Sequence, residues 1–343
     1  MSHSQIVLSL IAAILAALMS AGMIWATRPL LRQTIAKPNA RSSHRVPTPQ
    51  GAGIAVIAAT LIVSGAVILL AGAADISIPI AVFGATLFIA IVGFVDDVKS
   101  IPVLPRLVLQ GLAIATVIFA ASENLRIVPA CPLWVERTLL LIAGLWFVNL
   151  VNFMDGLDLM TVAEVVPITS AVVLLGCLEG TPASATIIAA ALCGAMLGFS
   201  PFNRPVAKIF LGDVGSLPIG LLLGWCLLQL TWHQHLAAAL LLPLYYLIDA
   251  TVTLFRRILT GEEFWVAHRT HYYQRATDIG IGVWRVFGEL FILNVILAAL
   301  AIISTRIPQR SAQAILVSIG VVLVLLLMLR FSGRLRLPPK HHP

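Results

Sequence analysis

Eleven apolar stretches, each nearly free of charge, dominate this 343-residue chain, at roughly 5–26, 51–72, 79–95, 105–121, 135–151, 160–178, 183–199, 214–232, 237–255, 284–304 and 312–330. Runs of about 17–22 residues, rising 1.5 Å per residue as helices, match a hydrocarbon core about 30 Å thick. Inside lipid, every backbone polar group must be satisfied within the spanning structure, which leaves helices or a closed barrel. Barrel strands would be about ten residues long and alternating, and no such pattern occurs. The chain is 59% hydrophobic and only 11% charged, whereas soluble domains carry about 25% charge. The expected fold class is therefore all-α: one polytopic membrane domain over 1–343 with about eleven transmembrane helices. Its polar loops would be 27–50, 96–104, 152–159, 200–213 and 256–283.

The first run has no basic segment before it and is followed by Arg28, Arg32, Lys37, Arg41 and Arg45. That pattern reads as an uncleaved span with its N-terminus outside. Threading eleven spans from there puts 18 of the 22 Lys and Arg residues on the cytoplasmic side, leaving Arg126, Arg137, Arg306 and Arg310 outside. The positive-inside bias also places the C-terminus in the cytoplasm. It accounts for the net charge of +7 without nucleic acid as a partner. Of the four cysteines, Cys131 falls in a loop and Cys177, Cys193 and Cys226 fall in apolar runs. Their spacing fits neither a disulfide framework nor a zinc site.

Four polar clusters fall on the cytoplasmic side of this topology. Asp96-Asp97, with Lys99, Arg106 and Gln110, stands where a span ends. A carboxylate pair there is unfavourable to the negative end of the helix dipole, so it reads first as a site for a divalent cation. Asn149, Asn152 and Asp155 recur at intervals of three, neighbouring positions on a helix; Gly156 then lets the backbone leave helical geometry before Asp158. Asn203, Arg204, Lys208 and Phe210 precede Gly212-Asp213-Val214-Gly215, a glycine-flanked turn suited to close approach of a phosphate or ion. Asp213 would equally serve as an N-cap worth about 1 kcal/mol. The longest loop carries His268 and His271, which at i and i+3 would share one helical face. Carboxylates for a hard cation, basic groups for phosphates, and Asn and Phe for a base are what phosphoryl transfer requires. Neither a Walker A sequence nor a Rossmann glycine fingerprint is present.

At these residues the chain resembles the polyprenyl-phosphate N-acetylhexosamine-1-phosphate transferases, the superfamily of the WecA-type and MraY-type enzymes. Five motifs carry the resemblance in order: Pro38–His44 with Pro47–Gly53, Gly93–Lys99, Asn152–Asp158, Asn203–Ser216, and His268–Gln274. It implies that a polyprenyl phosphate, such as undecaprenyl phosphate, attacks the β-phosphorus of a UDP-sugar, releasing UMP. By the same resemblance the cofactor is Mg2+, with Mn2+ as a substitute. Asp213 would hold the metal, with Asp155 beside it. Asp96, Asp97, Asp155, His268 and His271 would be catalytic, with Asp97 meeting the acceptor phosphate and taking its proton. Asp158, Asn203 and Phe210 would receive the uridine, and Asn152 would lie near the diphosphate. Lys208 and Arg41 and His44 of the early motif would also bind substrate, and Lys99 and Arg106 the lipid phosphate.

The loop reads His-Arg-Thr-His-Tyr-Tyr-Gln over 268–274, which is similar to the O-antigen-initiating branch and lacks the consecutive histidines of the peptidoglycan branch. That favours an acetamido-hexose donor such as UDP-GlcNAc over a muramoyl-pentapeptide one. The implied setting is the bacterial inner (plasma) membrane with the site on its cytoplasmic face, and a homodimer is compatible with it. Leu159 stands where this family usually has Gly, so the turn there is expected to differ. A transporter would need a relay of intramembrane acids; Asp249, Glu164 and Glu289 are too scattered for one. Asp249, following Pro243, reads as a packing residue of a kinked helix.

Overall fold

A computed structural model describes residues 3–31, 35–36, 48–71, 79–263 and 268–333. Thirteen α-helices account for roughly four-fifths of them: α1 (His3–Leu31), α2 (Ala52–Ala71), α3 (Ile80–Val98), α4 (Val103–Phe119), α5 (Leu133–Met154), α6 (Met160–Glu179), α7 (Ala183–Phe199), α8 (Asp213–Trp232), α9 (Leu236–Leu241), α10 (Leu244–Leu259), α11 (Tyr272–Asp278), α12 (Val283–Thr305) and α13 (Arg310–Phe331). Each of the eleven apolar stretches is helical, and among the described residues nine helices are long and apolar enough to cross a membrane. The other two stretches differ in informative ways. α4 is a 17-residue apolar helix entered from Pro102. The ninth stretch, 237–255, is two helices: it breaks before Pro243, which leads into α10 with φ −93° and ψ 19°. A proline inside a helix removes an amide donor and clashes with the carbonyl four residues back, so the run is long enough to span but is not one straight rod.

The helices alternate in direction, so the starts of α2, α4, α6, α8 and α12 and the ends of α3, α5, α7, α10 and α13 gather at one end of the bundle. α8 lies at the centre, buried over nearly its whole length and packed against α2, α3, α5, α6 and α7; α1 and α13 lie at the periphery. At the gathered end a short parallel contact between Gln50 and Phe210 joins the chain entering α2 to the chain entering α8. Phe210 N–H donates to Pro49 O (2.8 Å), and Gly51 and Ala52 N–H donate back to Phe210 O (3.1 and 3.0 Å). The only other strand pairing among the described residues is the two-residue ladder of β1 (Ile35–Ala36) with β2 (Thr48–Pro49). At the opposite end two ion pairs form locally, Arg126 with Glu136 (3.0 Å) and Arg306 with Glu179 (2.9 Å).

Candidate active site

α8 begins inside the bundle, and its first amides need partners that its own chain does not provide. Gly212 precedes it at φ +79°, a conformation costly for any residue with a Cβ, and offers no side-chain cap. The cap comes from α3. Asp97 Oδ1 accepts the Asp213 N–H (2.9 Å) and Asp97 Oδ2 the Val214 N–H (3.0 Å), while the Gln50 amide donates to Asp97 Oδ1 as well. A carboxylate at a helix N-terminus satisfies orphan amides and complements the positive dipole end. So Asp213 is the first residue of the helix and not its cap, and Asp97 is held by three donors. The close approach depends on Gly93, one turn earlier in α3, where a Cβ would lie 2.5 Å from the Asp213 carbonyl carbon and 2.7 Å from the Val214 nitrogen.

Asp96 points the other way. It accepts the Ile101 N–H at 2.6 Å and a hydrogen bond from the Arg106 Nη1 at 2.7 Å, and its carboxyl lies beside that of Asp213. The buried Arg106 Nε has no hydrogen-bond partner. Asn152 comes in from α5, its amide donating to Asp213 Oδ1 (2.8 Å) and Ser216 Oγ (2.9 Å). Asn149, one turn back, turns instead to Gln110 (2.7 Å). Two carboxyls side by side need a proton or a cation between them. Hard oxygen donors in this number suit Mg2+, which takes one or two carboxylates and keeps waters and substrate oxygens for the rest. Among the described residues no three His, Cys, Asp or Glu side chains group closely enough to enclose a metal. A cation here would therefore rest on Asp213 and its immediate neighbours.

The loop between α5 and α6 forms the next wall. Asp155 accepts the Thr161 hydroxyl. Burial, with the nearby charges of Asp97 and Asp158 adding to it, pushes the Asp155 carboxyl up to about 6 against the lowering effect of Thr161. Asp155 thus lies within electrostatic reach of Asp97, but the carboxyls that lie beside Asp213 are those of Asp96 and Asp97. Asp158 accepts the Ala207 N–H (3.1 Å); Asn203 accepts the Leu159 N–H (2.7 Å) and donates to Ile209 O (3.0 Å). Both side chains are buried and tie the 155–160 and 200–210 segments into one unit. Leu159 adopts φ +61°, a left-handed conformation that L residues other than Asn and Asp seldom take. The departure from Gly at this position therefore falls where Gly would be most at ease, and the Asn203 bond helps hold it. Phe210 is half-buried, while Lys99 and Lys208 are exposed at the same end.

The 268–274 segment closes the remaining side. His268 and His271 do not share a helical face, because α11 begins only at Tyr272. The loop nonetheless brings their rings to 4.9 Å between centroids, and His268 Nδ1 lies 3.0 Å from the Thr270 hydroxyl. Gly156 seats this loop: a Cβ there would lie 2.7 Å from Gln274 Nε2, and the Tyr273 hydroxyl reaches the Phe153 carbonyl at 3.5 Å. His271 Nδ1 is 3.4 Å from Asp249, a side chain that the sequence suggested only as helix packing. Its signal was its type: an acid inside an apolar run is a functional candidate by default. Arg41 and His44 lie outside the described residues.

Residues 79–231 match the family model described as glycosyl transferase family 4. That stretch runs from α3 to α8 and holds Asp96, Asp97, Asn152, Asp155, Asp158, Asn203 and Asp213; the histidine loop lies beyond it. The chain is 30% identical to a phospho-N-acetylmuramoyl-pentapeptide-transferase of Limosilactobacillus fermentum, over 46% of this chain and 48% of that protein. It is 27% identical to the decaprenyl-phosphate N-acetylglucosaminephosphotransferase of Mycobacterium leprae, over 72% of this chain and 71% of that protein. A phospho-N-acetylmuramoyl-pentapeptide-transferase of Streptococcus thermophilus is 43% identical over 22% of each chain. The first of these matches thus spans about half the length of the relative, and the second about seven-tenths.

Proposed function

We propose that this chain belongs to the polyprenyl-phosphate hexosamine-1-phosphate transferase superfamily and transfers an acetamido-hexose-1-phosphate from a UDP-sugar to a polyprenyl phosphate, a reading supported by the family match over residues 79–231 and by the relatives described above. The observation that carries the reading is the junction of α3, α5 and α8, where Asp96, Asp97 and Asn152 converge on Asp213 at the start of the central helix. Phosphoryl transfer is mostly positioning and charge neutralisation, and this junction offers both.

In the reaction, an oxygen of the lipid phosphate attacks the β-phosphorus of the UDP-sugar. The bond from that phosphorus to the bridging oxygen breaks, and UMP leaves with the oxygen. Asp213 would hold Mg2+ or Mn2+, with Asp96 and Asp155 within the same charged neighbourhood; a bound cation would neutralise the diphosphate. Asp97, committed to three donors, keeps the start of α8 in place. Asp96 and Arg106 then receive the acceptor phosphate, Arg106 through its unpartnered Nε and Asp96 as the acceptor of its proton. Lys99 adds positive charge at the approach. Asp158 and Asn203 brace the loops that wall the uridine pocket, Phe210 supplies a ring for the uracil, and Lys208 lies at its rim. His268 and His271 close over the sugar nucleotide. The positive-inside bias supports a bacterial inner membrane setting with this end in the cytoplasm, so the product would start a lipid-linked envelope glycan.

The test is a donor panel. Purified protein in vesicles with undecaprenyl phosphate is expected to release UMP from UDP-GlcNAc or a related UDP-acetamidosugar only when Mg2+ or Mn2+ is present. No UMP from any donor would refute the reading. A second reading, the muramoyl-pentapeptide donor, is favoured by the two pentapeptide-transferase relatives described above. UMP release from that nucleotide alone would decide for it.

A further inference from the structure

Asp249 lies in α10 with no solvent exposure. A carboxylate so placed is costly unless its lone pairs are filled, and here they are. From its own helix, Tyr245 OH donates to Oδ2 (2.9 Å) and Thr253 Oγ1 to Oδ1 (3.1 Å), both one turn away. From the histidine loop, the Tyr272 N–H bridges both oxygens at 3.2 Å, and His271 Nδ1 reaches Oδ1 at 3.4 Å. Four donors meet the roughly four acceptor sites of a carboxylate. Two belong to a spanning helix and two to a segment more than twenty residues further along the chain. The His271 ring is itself buried, stacked on Tyr273 with centroids 5.8 Å apart.

We propose that Asp249 is a positioning residue of the transferase reaction, a clasp that fixes the 268–274 loop to α10 and sets the tautomer of His271. An Nδ1–H donated to the carboxylate leaves Nε2 as the ring's acceptor, so the proton-accepting face of the imidazole is turned away from Asp249. The same device orients imidazoles beside metals and nucleophiles. This inference rests on the proposed function for its chemical meaning, but its structural half does not.

Two measurements separate the halves. In vesicles, trypsin is expected to cut after Arg269 at least about tenfold faster in Asp249→Asn than in the wild type, since the clasp loses its charge and gains an amide facing the His271 N–H. Unchanged cleavage would overturn the clasp. Tyr272→Pro is the second variant, should Asp249→Asn fail to fold. Tyr272 is the first residue of α11 and His271 has φ −62° and ψ 152°, geometry that accepts a following proline, so only the N–H donor and the ring are lost. Faster cleavage is expected there too, and unchanged cleavage counts against the clasp. In the UMP assay, Asp249→Asn is expected to lower kcat by roughly 10²- to 10⁴-fold while the KM for the nucleotide sugar stays within about threefold. A raised KM with kcat intact would overturn the tautomer role. If the wild type turns over no donor, the proposed function fails and the trypsin result still decides the clasp.

Discussion

Replacing Gly93 by Ala adds one methyl group, yet it tests how the site is held. The added Cβ would stand 2.5 Å from the Asp213 carbonyl carbon and 2.7 Å from the Val214 nitrogen, where ordinary contact begins at 3.4 Å. Neither atom is the tip of a flexible side chain; both belong to the first turn of α8, which Asp97 grips through the Asp213 and Val214 amides at 2.9 and 3.0 Å. To regain ordinary contact α3 and α8 must part by at least about 0.9 Å, the difference between 3.4 Å and the distance to the carbonyl carbon, since the Asp213 carbonyl oxygen lies nearer still. Two costs follow. Overpacking of this kind destabilises by about 1–3 kcal/mol, and displacing reacting groups by about 1 Å lowers turnover by roughly 10²-fold. Gly84 is the control within the same helix, because a Cβ there meets nothing within 4 Å. Gly84→Ala is expected to keep turnover and to gain roughly 0.5–1 kcal/mol from helix propensity. Thermal unfolding in detergent and UMP release in vesicles, measured on both variants, make the comparison. Wild-type turnover in a folded Gly93→Ala protein would refute the argument that the α3–α8 contact sets the position of Asp213.

The Asp155 carboxyl, pushed up to about 6 by burial and by the charges of Asp97 and Asp158, makes two statements about pH. Turnover that needs it ionised should rise with pH through about 6, and a bound cation should move that limb lower; a flat profile from pH 5 to 8 in the wild type, unchanged in Asp155→Asn, would exclude it from the reaction. For stability the sign is opposite: the folded state holds this proton more tightly than the unfolded chain, so the group's contribution is full below about 4 and is lost as pH rises through about 6. Asn203→Ala should leave the buried Leu159 N–H and Ile209 O without partners and cost about 1–3 kcal/mol, read as a lowered melting temperature. Asn203→Ala melting with the wild type would show that the two loops do not depend on this bridge.

The helical membrane architecture was legible because bilayer thickness imposes one length on every apolar run. The break at Pro243 was foreshadowed by the proline, but the run 237–255 is apolar across it, so length alone read one span. Within the site, local signals misled where a long-range contact decides. Asp213 looked like an N-cap from its glycine-flanked position, yet the capping carboxylate comes from Asp97, 116 residues earlier. Asp96-Asp97 looked like one metal pair, and the two side chains diverge, one into the dipole of α8 and the other towards Arg106 and Asp213. Asn152 and Asp155, three apart, also take separate partners in Asp213 and Thr161. Spacing can say that residues share a helix face; it cannot say which distant amide fills a lone pair. The role of Asp249 was hidden for the same reason, since half of its donors lie across the loop to Tyr272.

On the proposed reaction a phosphorus atom, and not the sugar alone, passes to the lipid at the Asp213 junction. The most direct measurement uses UDP-GlcNAc, or whichever donor the panel selects, labelled with 32P at the β-phosphate. It is supplied to wild-type and Asp213→Asn protein in vesicles holding undecaprenyl phosphate. The expected result is label in the organic-extractable lipid with unlabelled UMP in the aqueous phase for the wild type, and none in the lipid for Asp213→Asn of equal melting temperature. Label retained on released UDP would contradict transfer of the phosphorus, and lipid labelling that survives in Asp213→Asn would contradict the role of Asp213.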